Sequence, residues 1–206
     1  MKRLTHFTPN TRGAISSTFL LVTAGLGIAA VLYFFVFNRG FHFVEEVELA
    51  NKEIIEIDRT VKAKPLGEIG GPGGWEPVYM SLAIAKPKRT DNPPMWETTA
   101  GLVPILFDRD PDNGEWTLLA TFYMCEPWYA LGRPKLPYAE FRVRNGQWQR
   151  VDLSNKWIGR AANVLTSISS KGEPALLPLA EKNSRNFEPG VDPSFKRIVD
   201  SWHTTC

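Results

Sequence analysis

The chain has 206 residues, 24 basic and 22 acidic side chains, 43% hydrophobic residues and only two cysteines. This composition excludes a disordered chain and suits one domain with a substantial core. Setting aside Lys2, Arg3 and Arg12 leaves 21 basic against 22 acidic residues. No positive excess remains to pair with phosphates, so nucleic acid is not expected as a partner.

Residues 1–13 read as a short cytoplasmic tail. The run from Ala14 to Phe37 then carries no charged side chain. At about 1.5 Å per residue it extends roughly 36 Å, enough to cross a hydrocarbon core of about 30 Å. Backbone groups inside lipid need internal partners, so residues 14–38 read as a transmembrane helix. The run is longer than the apolar part of a signal peptide and lacks a small-x-small cleavage site, which favours an uncleaved signal anchor. Lys2, Arg3 and Arg12 precede it, whereas Arg39 follows it close to Glu45, Glu46 and Glu48. The positive-inside rule places the N-terminus in the cytoplasm and residues 39–206 in the periplasm or outside the cell, anchored in the inner (plasma) membrane. Gly25 and Ala29 form a small-xxx-small pair through which two spans can approach, giving a homo-oligomer. The plainer reading is that Gly and Ala are common in membrane helices.

Beyond the span, Phe43–Leu49 and Glu53–Val61 read as a hairpin, although Ile54, Ile55 and Ile57 leave a helix open for the second run. Gly67 to Gly74 holds five glycines and one proline and reads as a loop or joint. A short strand is expected over Tyr79–Ala85, then an irregular segment over Lys86–Pro94. Leu102–Phe107 and Trp116–Met124 are nearly continuous apolar runs, as in strands buried on both faces. Pro104 cannot donate to a ladder, which puts its strand at an edge or gives it a bulge.

Glu126–Leu131 reads as a short helix with Pro127 early and Gly132 as its terminator. Tyr138–Arg144 and Gln147–Leu153 flank Asn145-Gly146, a type I′ hairpin signal. In that register Val143 faces Trp148, and Val151 and Leu153 fall on the opposite face, so either a bulge intervenes near Gln149–Arg150 or the pairing ends there. Ser154 is placed to cap a helical turn reaching Ile158. Ala162–Ile168 reads as a strand and Pro178–Ser184 as a short helix. Asp192-Pro193 is a cap followed by a first-turn proline. Phe195, Ile198, Val199 and Trp202 recur at helical spacing behind it, predicting a terminal amphipathic helix over Pro193–Trp202. The expected fold class is α+β, an antiparallel sheet of five or more strands with a few short helices in a single extracytoplasmic domain, residues 39–206.

Cys125 and Cys206 both fall on the outer side of the span, and in an oxidising compartment they are expected to form one disulfide. The motif Asp108-x-Asp110-x-Asp112-Asn113-Gly114 resembles a calcium loop, but its glycine is one place late and position twelve is Leu119. A polar turn explains it better. Asp200, Ser201 and His203 are residue types used in nucleophilic catalysis, without a motif around the serine. Asp108, Asp110, Glu126 and Glu140 are candidate catalytic carboxylates only if folding gathers them. Arg142, Arg144, Gln147 and Gln149 share one face of the hairpin, read as a solvated sheet face. No metal or cofactor motif is present.

The segment Trp128–Tyr138 is the strongest interaction candidate. Trp128, Tyr129, Arg133 and Tyr138 are residue types that dominate binding hot spots, and prolines 134 and 137 stiffen the loop. Trp75 and Trp96 are candidates to join them, and packing in the core is the competing reading. The functional expectation is a non-enzymatic interaction domain of the cell envelope, either an accessory subunit of an envelope or secretion assembly or an immunity-type inhibitor. Its expected partners are the lipid bilayer and an envelope protein. The alternatives are a ligand- or lipid-binding envelope domain and an enzyme with an unrecognised site.

Overall fold

The computed structural model describes residues 39–66, 74–169, 172–203 and 206, which belong to one compact unit. The expected span 14–38, with Gly25 and Ala29, lies outside the described residues, as does most of the glycine-rich joint. Among the described residues no helix is long and apolar enough to cross a membrane.

The fold is mixed α+β and mostly sheet. β1 (Arg39–Glu48) and β2 (Ile54–Leu66) form the first hairpin. Its turn is closed by Lys52 N–H donating to Leu49 C=O at 2.9 Å, with Lys52 itself at φ +72°. Period two decides the second run: Ile55 and Ile57 are buried, whereas Ile54 faces water. β3 (Gly74–Lys86) is longer than the expected Tyr79–Ala85 and pairs along nearly all of β2, with bulges that absorb Val78 and Ala85. β4 (Trp96–Thr98) adds a short edge.

β5 (Leu102–Arg109) and β6 (Trp116–Phe122) are the buried antiparallel pair. Pro104 takes both of its permitted settings: β5 is the edge strand, and a bulge at Ile105 follows the proline. Helix α1 (Cys125–Ala130) leads to β7 (Ala139–Arg144) and β8 (Gln147–Val151). Asn145 and Gly146 sit at φ +53° and +72°, the positive values of a type I′ turn. Val143 faces Trp148 as the spacing predicts, and pairing runs without a bulge to Glu140–Val151, where it ends.

After a 3₁₀ turn (Asn155–Trp157) come β9 (Leu176–Leu177), α2 (Leu179–Asn186) and α3 (Pro193–Lys196). The strands form two sheets, ordered β4-β3-β2-β1-β9 and β5-β6-β7-β8. All pairings are antiparallel except the short parallel one between β1 and β9.

One core lies between the sheets. Phe43, Ile57, Val61, Met80 and Leu82 of the first meet Phe107, Leu118, Ala120 and Phe122 of the second. A smaller cluster on the far face of β5 and β6 joins Ile105, Leu106 and Leu119 to Tyr138, Trp157, Ala162 and Ile198. Val151 and Leu153 needed no bulge to be accommodated, because Leu153 packs into this second cluster.

Three local expectations are corrected. Ala162–Ile168 is not a strand: it is irregular, and the isolated bridge between Ala161 and Arg197 lies just before it. The C-terminal helix stops at Lys196. Asp192 caps it by accepting from Ser194 N–H at 2.8 Å, but Arg197 is extended, at φ −155° and ψ 163°. Ile198 N–H donates instead to Arg160 C=O at 2.9 Å, and Gly159 N–H to Ile198 C=O at 2.8 Å. Tertiary pairing outcompetes the helical spacing. Ser154 precedes the 3₁₀ turn without capping it through its hydroxyl; its N–H donates to Glu140 Oε2 at 2.7 Å.

The irregular segment 163–166 is buried, so its backbone groups need partners that a sheet would otherwise supply. Ile105 C=O accepts from Asn163 and Val164 N–H, and polar side chains supply the other partners. Arg59 donates to Leu165 C=O at 2.6 Å and to Glu45 at 2.9 Å, while Glu45 accepts Leu165 N–H at 2.7 Å. Asn186 accepts Thr166 N–H and donates to Val164 C=O. Lys182 donates to Asn163 C=O and across to Glu46 C=O of β1. Asn163 in turn caps the β5 edge, its amide bonding Phe107 N–H and C=O at 2.9 Å each.

Candidate functional site

Strand β6 ends at Phe122, and the chain turns outward before entering α1. Pro127 lies in the first turn, where a missing N–H is harmless. The helix closes with Gly132 N–H on Tyr129 C=O at 3.0 Å and Arg133 N–H on Trp128 C=O at 2.9 Å, the two bonds of a Schellman motif. Gly132 holds the left-handed conformation this requires, at φ +83°.

Cys125 is bonded to Cys206, with Cα atoms 5.4 Å apart, inside the ordinary disulfide range. The expected disulfide is present, and it draws the C-terminal segment against α1. Tyr129 Oη donates to Cys206 C=O at 2.8 Å. Trp202 packs edge-on against Trp128, with ring centres 6.2 Å apart, and against Phe122 at 5.9 Å.

Three of the four residues singled out in Trp128–Tyr138 gather here. Trp128 is half-buried and donates its indole N–H to Pro134 C=O at 3.1 Å. Tyr129 and Arg133 are exposed, and the Arg133 guanidinium stands 5.3 Å from the Tyr129 ring centre and 5.9 Å from that of Trp128. Tyr138 is placed elsewhere. It is buried in the second cluster, donating to Ser194 and Arg197 carbonyls at 3.0 Å and accepting Val199 N–H at 3.1 Å. Burial pushes its phenol up to about 12. Trp96 also leaves the patch, being buried in β4 edge-on to Phe141. The Trp75 side chain lies outside the described residues.

Two surface residues escaped the sequence reading. Tyr123 and Met124 are 47% and 40% exposed, and Tyr123 stacks on Phe195 with ring centres 4.7 Å apart. They were read as the end of a buried strand. The signal for a different reading was the Cys125–Pro127 helix start, which forces the chain out of the sheet just before it.

The candidate carboxylates do not form a free pair. Asp108 takes Arg160 and accepts Ala50 N–H with both oxygens at 3.1 Å. Asp110 takes Lys156 and Arg142, and Glu140 takes Arg142 at 2.7 Å. Burial alone would raise the Asp110 carboxyl, but the Lys156 hydrogen bond, with Arg142 beside it, holds it below the usual range. Glu126 lies apart on α1. Arg142 therefore does not belong to a solvated face: it is mostly buried among Asp110, Glu115 and Glu140. The loop resembling a calcium site is a polar turn, closed by Gly114 N–H on Asp110 C=O at 2.7 Å. Among the described residues no group of three or more acidic, histidine or cysteine side chains is placed to hold a metal ion. No protein-family model, curated protein or solved structure significantly matches this chain.

Proposed function

We propose that this protein is a membrane-anchored, non-enzymatic interaction domain of the cell envelope that engages another envelope protein through the surface around Cys125–Cys206. The anchor rests on the uncharged run Ala14–Phe37 and its basic N-terminal flank. The observation that carries the reading is Tyr129, 48% exposed beside Arg133 on a helix whose position is locked by a disulfide. Aromatic and arginine side chains held rigidly lose little entropy on binding, which is why they dominate hot spots. Exposed Met124, next to Cys125 in the chain, adds apolar area beside the disulfide.

The test is a photo-crosslinking residue placed at Tyr129 in the full chain in cells, with the same residue at Lys62 on the outer face of the first sheet as control. A single protein captured from position 129 and not from 62, and lost with Arg133→Glu, supports the proposal. Equal capture at both positions, or none at 129, removes it.

A further inference from the structure

Native sheets protect their edges, because a row of unpaired N–H and C=O groups invites another strand. Among the described residues the four edges differ in their cover, and β4 shields only Met80–Leu82 of β3. The β5 edge is covered by Asn163, and the β1 edge by β9 and Lys182. β4 is only three residues long. The fourth, β8, is a regular five-residue strand with no bulge, and among the described residues no strand pairs with its outer side.

Hairpin geometry sets which of its groups are free. The type I′ turn makes Arg144–Gln147 a hydrogen-bonded pair. Alternation then makes Arg142–Gln149 and Glu140–Val151 hydrogen-bonded, and Val143–Trp148 and Phe141–Arg150 not. The backbone N–H and C=O of Trp148 and Arg150 therefore point away from β7. Among the described residues none of these four groups has a backbone partner. The only charge on the strand does not guard the edge, since Arg150 Nη2 is tied to Leu131 C=O at 2.8 Å.

We infer that β8 pairs with β8 of a second copy, antiparallel about a two-fold axis at Gln149, joining two four-stranded sheets into one of eight. The strand is self-complementary in that register. Trp148 of each copy meets Arg150 of the other, so the four free groups satisfy each other and no like charges are opposed. Gln149 meets Gln149, and Gln147 meets Val151. Asp152 of one copy falls opposite Gly146 of the other, close to its Arg144. The inner-face side chains of the added strand fall over a groove of about 280 Å³ beside β8, lined by Pro94, Met95 and Trp148, where Met95 is half exposed. β8 meets the disulfide surface only where Arg150 bonds Leu131, and the two tests read different residues, so either proposal can fail alone.

The test is cysteine crosslinking of the full chain in native membranes. A non-hydrogen-bonded antiparallel pair has Cα atoms about 4.5 Å apart, within disulfide reach. Gln149→Cys should run at twice its mass on non-reducing gels. Val151→Cys alone should stay monomeric, because its two copies would lie about 14 Å apart. Differently tagged Gln147→Cys and Val151→Cys chains should crosslink when co-expressed. A monomeric Gln149→Cys, an adduct of Gln149→Cys with a different protein, or equal dimerisation of Val151→Cys alone would each overturn the proposal.

Discussion

The two sheets share a core but differ on their far faces. On the first, His42, Glu46, Glu56, Asp58, Thr60 and Lys62 alternate with the buried side chains of β1 and β2 and reach water, at least in part. On the second, Leu119, Thr117 and Thr121 of β6 are as buried as Leu118 and Ala120 on the core side. The difference comes from Leu153, Trp157, Ile158, Ala162, Ile198 and Val199, which cover the far face of the second sheet, whereas among the described residues the outer face of the first stays open. The backbone of that cover pairs with itself, Gly159 N–H on Ile198 C=O and Ala162 N–H on Lys196 C=O, while the neighbouring irregular stretch 163–166 relies largely on buried side chains. The lesson is that charge buried between the sheets, as at Glu45 and Arg59, goes with irregular backbone packed beside it, whereas charge on an open sheet face stays at the surface.

The largest expected effect breaks this arrangement directly. Glu45 and Arg59 are fully buried and paired, and Glu45→Leu leaves Arg59 and Leu165 N–H without their partner. Removing one member of a buried pair costs about 3–5 kcal/mol. The surface counterpart, Lys52→Ala against Glu48, should cost no more than about 1 kcal/mol. Denaturant unfolding followed by tryptophan fluorescence checks both, and equal losses would erase the contrast.

The next effect sharpens it through pH. Burial lowers the Lys182 ammonium to about 8, with nearby Arg59 adding to the shift and Glu45 opposing it. Its ordinary value is 10.5. Below pH 8 both folded and unfolded chains hold the proton. Between 8 and 10.5 only the unfolded chain holds it, so the folded state gains stability as pH rises and loses it as pH falls through 8. Between pH 7.5 and 9.5 the gain is about 1–2 kcal/mol. Unfolding titrations across that range should show the rise in the native chain and a flat response in Lys182→Met.

The smallest concerns the hairpin at the margin of the second sheet. Gly146→Val puts a β-branched residue at φ +72° with nothing within 4 Å of its new Cβ, so the backbone alone is tested. The expected loss is about 1–2 kcal/mol, read as a lower melting temperature. An unchanged value would mean the turn relaxes to another type.

Local chemistry was legible in the sequence wherever the outcome is decided within a few residues. Asn145-Gly146 defined the hairpin and its register, Pro104 marked an edge and a bulge, and Pro127 with Gly132 bounded α1. Two cysteines, both expected on the outer side of a membrane, implied their bond. The candidate surface was half legible, since residue type separated Trp128, Tyr129 and Arg133 from their surroundings but did not tell them from Tyr138, whose hydroxyl finds partners 56 and 61 residues away. The buried cover over β5 and β6 was not legible at all. Ala162–Ile168 carries strand-like residues but forms no strand, and Phe195–Trp202 carries helical spacing but leaves the helix after Lys196. Their backbones are claimed by Glu45, Arg59, Lys182, Asn186 and Arg160, which sequence separation of up to 120 residues hides from any local pattern. Propensities of a few tenths of a kcal/mol per residue yield to buried hydrogen bonds, whose loss costs about 1–3 kcal/mol each. Tertiary structure therefore decided which face of each sheet meets water, and which edge was left free.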